Sequence, residues 1–94
     1  MKRRRIFLFP ENQRAKRCSL GDQVQKLREE AQEVVDAFEN GEGDARIIEE
    51  GWDVVQTVEG MFHKFPLCAV IVGFVRVLLK SAKRGDYAGG EDGR

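Results

Sequence analysis

The sequence predicts an all-α fold: an antiparallel helical hairpin plus a buried third helix, completed into a four-helix-bundle-type core by oligomerisation. Three observations predict it. Between residues 20 and 38, apolar residues recur at alternating spacings of four and three, the repeat of one helix face. A second such stripe follows after a short connection, Gly41 to Gly43. A third segment, 67 to 84, is apolar nearly all round until Arg76, which suits a helix in the middle of a core.

Size and charge narrow the class. The chain has 94 residues, 41% of them hydrophobic, enough for one domain. So small a domain buries little surface alone and leans on a metal, disulfides or a partner subunit. Cys18 and Cys68 are too few for a disulfide framework. Sixteen basic and sixteen acidic side chains cancel, which argues against a strongly basic nucleic-acid binder and against an acidic tail protein. The longest apolar stretch, 67 to 75, is about half a membrane span, and the apolar patch behind the basic N-terminus is too short for a secretory signal. The expectation is a cytoplasmic, oligomeric protein with no membrane partner.

The zero total hides a division. Residues 1–18 hold seven basic side chains and one acid, residues 21–60 three and twelve, and residues 61–94 six and three. An acidic middle lies between basic ends.

Each element has its own signals. Residues 1–18 read as a basic N-terminal arm. Its patch Ile6-Phe7-Leu8-Phe9, stopped by Pro10, either pairs as an edge strand or lies against the helices. Residues 19–85 form the helical domain, and 86–94 a flexible Gly/Asp-rich tail. Ser19 followed by Asp22 resembles a capping box, so the first helix starts near Leu20. Its stripe is Leu20, Val24, Leu27, Ala31, Val34 and Phe38, and Gly41 and Gly43 end it. Asp44 is the expected N-cap of the second helix, whose stripe runs from Ile47 and Ile48 through Val54, Val55, Val58, Met61 and Phe62 to Phe65. Pro66 stops that helix and suits the first turn of a third, which Gly85 caps.

The acids of the middle are paired. The first helix carries Glu30 with Glu33 and the second Glu50 with Asp53, both at i, i+3 and therefore on one face. At ~100° per residue each pair lies to the same side of its stripe. A short connection makes the helices antiparallel, and a twofold relation between them brings same-sense edges together, with Glu33 and Glu50 about two turns from the connection and Glu30 and Asp53 about three. Either pair alone reads as a solvated helix face. Both together, matched in edge and height, assemble four mutually repelling carboxylates, a site for a hard divalent cation such as Mg²⁺. Zinc is a poor fit, since His63 and two distant cysteines make no cluster. Trp52 reads as core or interface packing, and His63 as a surface residue near a helix end.

Glu29-Glu30-x-x-Glu33, sixteen residues, then Glu50-x-x-Asp53 resembles the motif of the MazG-like, all-α nucleoside triphosphate pyrophosphohydrolase superfamily. The flanking Lys26-Leu27-Arg28 and Val54-Val55-Gln56 look like it too, and Lys80-Ser81-Ala82-Lys83-Arg84-Gly85-Asp86-Tyr87 is similar to a Lys-Asn-x-x-Arg-Gly-Tyr element, with Ser81 in place of Asn and Asp86 inserted. Phe9-Pro10-Glu11-Asn12-Gln13 looks like short, phage-type members. The resemblance implies hydrolysis of an NTP or dNTP between the α- and β-phosphates to NMP and pyrophosphate, nucleotide pool cleaning, Mg²⁺ dependence with Mn²⁺ as substitute, and a homodimer or dimer of dimers. It implies Glu30, Glu33, Glu50 and Asp53 as metal ligands, Glu30 or Glu33 as the residue that orients the attacking water, and Lys80, Arg84 and Tyr87 as substrate contacts. The alternatives are a phosphoribosyl-ATP pyrophosphohydrolase-like enzyme and a non-catalytic helical interaction module.

Overall fold

The computed structural model describes residues 7–87. The basic run 2–5, Ile6 and the tail beyond Tyr87 lie outside the described residues. Four helices appear in chain order: α1 Gln13–Arg17, α2 Leu20–Glu39, α3 Asp44–Phe62 and α4 Leu67–Lys83. None among the described residues is long and apolar enough to cross a membrane. The chain divides into two compact units with the boundary after Lys64. The sequence reading drew its line at residue 18, but part of the arm is built into the first unit.

The ends of α2 follow from local chemistry. The Asp22 amide donates to Ser19 Oγ at 3.0 Å, and the Ser19 amide donates to Asp22 Oδ2 at 3.3 Å, a reciprocal capping box. At the other end Gly41 takes φ +66°. Its amide donates to the Phe38 carbonyl and that of Glu42 to the Ala37 carbonyl, so orphan carbonyls of the last turn are paired. The same pattern closes α4: Gly85 at φ +84° donates to Ala82, and Asp86 donates to Ser81. One expectation is corrected. Gly43, not Asp44, is the N-cap of α3, and no side chain caps it. Asp44 sits in the first turn, where its charge meets the positive end of the helix.

In the first unit α2 and α3 pack as the antiparallel hairpin. The seam between them is polar. Gln23 Nε2 donates to the Thr57 carbonyl at 3.3 Å, and seven residues further along each helix, in opposite chain directions, Glu30 meets Glu50. The residues that α2 buries are Gln23, Glu30 and Ala37, one line at the seven-residue repeat. Leu27 and Val34 flank that line and are half-buried. Leu20, Val24 and Phe38 of the expected stripe are exposed, Phe38 at 71%. The expected stripe-to-stripe contact is therefore corrected: the seam runs to one side of the α2 stripe and takes an acid from each helix into it.

α1 was not foreseen. Asn12 starts it, its Oδ1 accepting from the Ala15 amide at 2.9 Å. The element packs on α3. Ala15 is buried beside Gly60, where an added Cβ would lie 3.0 Å from the Ala15 Cβ. Just before it, the Leu8 and Phe9 amides donate to the two carboxylate oxygens of Glu59 at 3.0 and 2.9 Å. Phe7 lies tilted against the His63 ring and Phe9 meets Trp52 edge-on. Of the two options for the apolar patch, residues 7–9 lie against a helix. Trp52 is half exposed and is not a core residue of the described chain.

The second unit holds α4. Of its residues only Ser81 is buried. Phe74 is 63% and Leu79 66% exposed. Most apolar residues of this helix, expected to be buried in a core completed by oligomerisation, are exposed.

Candidate metal centre

Glu30 and Glu50 are the buried acids of the hairpin. Each is held by a cation one turn earlier on its own helix. Lys26 Nζ lies 2.9 Å from Glu30 Oε2, and Arg46 Nη2 lies 2.5 Å from Glu50 Oε2. The two sites are built alike: the cation takes Oε2, and Oε1 is buried without a hydrogen-bond partner. A buried charged oxygen with no partner is expensive, and two buried carboxylates on neighbouring helices repel. Such atoms call for a proton or a cation.

Asp53, one turn on from Glu50 and nearer to solvent, completes the group. One carboxylate oxygen from each of Glu30, Glu50 and Asp53 lies within 4.8 Å of the others. This donor set is all oxygen and all anionic, the chemistry of Mg²⁺ or Mn²⁺ rather than of a thiolate-seeking ion.

Electrostatics mark Glu50 as the strained member. Burial pushes its carboxyl above the ordinary glutamate range, and the neighbouring Glu33 and Asp53 carboxylates push the same way, against the pull of Arg46. Arg46 is held charged by its hydrogen bond to Glu49 and by the fields of Glu50 and Glu42. Its guanidinium spans all three acids, at 2.9 Å from Glu49, 2.5 Å from Glu50 and 3.5 Å from Glu42.

Of the four expected ligands, three come together. Glu33 is exposed and stands outside the close group, although its carboxyl acts on Glu50. The reason is the seam. With Glu30 on the line of contact, Glu33 lies ~60° round the helix from it, at the edge of the seam, where it is exposed yet beside Glu50. Lys80, Arg84 and Tyr87 belong to the second unit, at the end of α4. Arg84 is occupied: its Nη2 and Nε lie 2.7 and 3.1 Å from Asp86 Oδ2. The inserted Asp86 thus takes the guanidinium expected to face phosphate. Tyr87 and Lys80 are exposed.

The sequence reading missed a wall of the site. A cleft of about 250 Å³ opens on Glu30 and Asp53 and is lined also by Asn12, Arg14, Ala15, Gln23, Lys26, Gln56 and Thr57. Three of these come from α1 and its cap. The signal was present as Asn12-Gln13-Arg14-Ala15, an N-cap followed by helix formers, but five residues give no periodicity to read. No family model, no curated protein and no solved structure matches the chain.

Proposed function

We propose that the chain is a divalent-metal-dependent nucleoside triphosphate pyrophosphohydrolase of the MazG-like kind, cleaving an NTP or dNTP between the α- and β-phosphates to NMP and pyrophosphate. The observation that carries this reading is the pair of buried, unpartnered Oε1 atoms of Glu30 and Glu50, drawn together with Asp53. A carboxylate cluster that served only solubility would lie in water with every oxygen solvated.

Glu30, Glu50 and Asp53 would hold Mg²⁺, with Mn²⁺ as substitute, and Glu33 joins or borders that set. The ion supplies charge neutralisation of the phosphates and an acidified water. Lys26 and Arg46 keep Glu30 and Glu50 aimed inward and balance their charge while the site is made. Glu33 is exposed and next to the group, so it can accept a proton from the attacking water without leaving the helix face. Glu30 shares the positioning of that water. Lys80, Arg84 and Tyr87 remain proposed substrate contacts, Arg84 being the one paired with Asp86.

The same reading includes a cytoplasmic homodimer or dimer of dimers. Among the described residues the buried hydrophobics are Ala15 and Ala37, and no large side chain is fully buried. A chain with this much apolar side-chain area facing water needs a cover, and twofold self-association is the commonest one.

The test is a panel of NTPs and dNTPs with and without Mg²⁺, products resolved by phosphorus NMR. Monophosphate and pyrophosphate should appear with Mg²⁺ only, and Asp53→Asn should lower turnover by about 100-fold or more with helical content intact. Diphosphate and orthophosphate as first products, or no turnover of any member, would show the reading to be wrong. The second outcome would leave the helical interaction module.

A further inference from the structure

The arm is fastened at three points, two on α3 and one just beyond its end. Glu59 binds the Leu8 and Phe9 amides. Ala15 is seated on Gly60. The Lys64 ammonium donates to the Ala15 and Cys18 carbonyls, satisfying the end of α1. This fastening sets α1 as a side of the cleft that opens on Glu30 and Asp53.

What α1 brings to the cleft is donor chemistry. Lys26 is paired with Glu30, so its charge is already engaged. Arg14 also lines the cleft, yet it has no ion pair and no hydrogen bond among the described residues. Asn12 uses Oδ1 for its cap and keeps its amide hydrogens to donate. Gln56, across the cleft on α3, likewise keeps its amide. A free guanidinium flanked by amide donors suits a polyanion, and its planar fork suits phosphate oxygens in particular. Glu30 and Asp53 in the same cleft would repel that anion unless a divalent cation lay between them.

We infer that Arg14 binds the phosphate chain of the substrate, and that residues 12–18 are a structural wall of the active site rather than a solvated arm. This rests on the pyrophosphohydrolase reading for the identity of the phosphate donor. Arg14 contributes to binding, while Glu59, Gly60 and Lys64 are positioning residues that act through α1.

The experiment uses the full chain and inorganic tripolyphosphate as probe, titrated calorimetrically with and without Mg²⁺, beside Mn²⁺ titrated alone and the steady-state kinetics of a dNTP. Arg14→Gln should weaken tripolyphosphate binding in Mg²⁺ and raise KM, each by about tenfold or more, with Mn²⁺ affinity unchanged. Arg14→Lys should recover part of the loss, since it keeps the charge but not the fork. Arg17→Ala, on the same helix but outside the cleft, should leave all three quantities alone. If the wild-type protein binds Mn²⁺ and turns over a dNTP while Arg14→Gln leaves KM and tripolyphosphate affinity unchanged, this inference falls and the enzyme reading stands. If the wild-type protein binds no metal and hydrolyses nothing, both fall.

Discussion

The α2–α3 hairpin and α4 treat polarity in opposite ways. The hairpin buries Gln23, Glu30, Glu50 and Thr57 and leaves Phe38, Ile48 and Trp52 in water. α4 buries one serine and exposes almost every apolar residue it has. Neither pattern is what a self-sufficient small domain would choose, because burying charge costs and exposing apolar surface costs. The two are unsatisfied in different currencies. The hairpin leaves the buried Oε1 atoms of Glu30 and Glu50 without a partner, which a cation would supply. α4 presents exposed apolar side chains, which in the proposed homodimer another chain would cover. On the proposed reading the comparison separates two kinds of partner, an ion for the hairpin and a subunit for α4, and each can be tested without touching the other.

The largest effect should come from α4. At a free surface, Phe74→Asp would change stability by no more than about 0.5 kcal/mol. At a subunit interface it places an unpaired charge in a closed apolar contact, at about 3–5 kcal/mol, and the protein should aggregate or unfold. Sedimentation equilibrium of the wild type should give at least twice the 10.7 kDa chain mass. A folded 10.7 kDa wild-type species, with Phe74→Asp equally folded, would erase the contrast drawn for α4.

The next effect belongs to the hairpin and to pH. The Glu50 carboxyl is raised in the folded state, chiefly by burial. The folded chain then keeps a proton that the unfolded chain has lost, so this group favours the fold on the acid side. Its contribution disappears as pH rises from the ordinary glutamate range through the raised value. Metal-free melting temperature should accordingly fall across that window, and Glu50→Gln should flatten the fall. In the proposed site Mg²⁺ would compete with the proton, so its stabilisation of the wild type should grow over the same window. A wild-type slope identical to that of Glu50→Gln would show that this carboxyl is not strained.

The smallest effect in stability tests the seat of the arm. Gly60→Ala gains about 1 kcal/mol of helix propensity but puts its Cβ 3.0 Å from Ala15 and 3.2 Å from Gln23 Nε2. The two terms oppose, and melting should shift by only a few degrees. The arm should nonetheless lift: hydrogen exchange at the Ala15 and Lys16 amides should quicken, and KM should rise. Unchanged protection at both amides would mean that the cleft wall does not depend on this contact.

How much was readable depended on whether a feature repeats along the chain. The 20- and 19-residue helices display their periodicity many times over, and local chemistry marks the ends of α2 at Ser19, Asp22 and Gly41 and the end of α4 at Gly85. The acidic pairs are legible for the same reason, since i, i+3 spacing puts both members on one face. α1 is too short to repeat anything, and its seat on Gly60, Glu59 and Lys64 is a long-range matter. Even the Lys26–Glu30 and Arg46–Glu50 pairs, each at i, i+4 and so visible in sequence, gain their meaning only from the partner helix that buries them.

The sequence by itself determined that the described chain is helical, where α2 and α4 begin and end, and which acids share a face. These follow from interactions within a turn or two of backbone. Tertiary structure alone decided that the hairpin seam passes beside the apolar stripe and not through it. That rotation buries Glu30 and Glu50, sends Glu33 to solvent, and sets α1 beside the cleft. A seam is chosen by the total of contacts that two helices and their neighbours can make together, and no single helix carries that total in its own spacing.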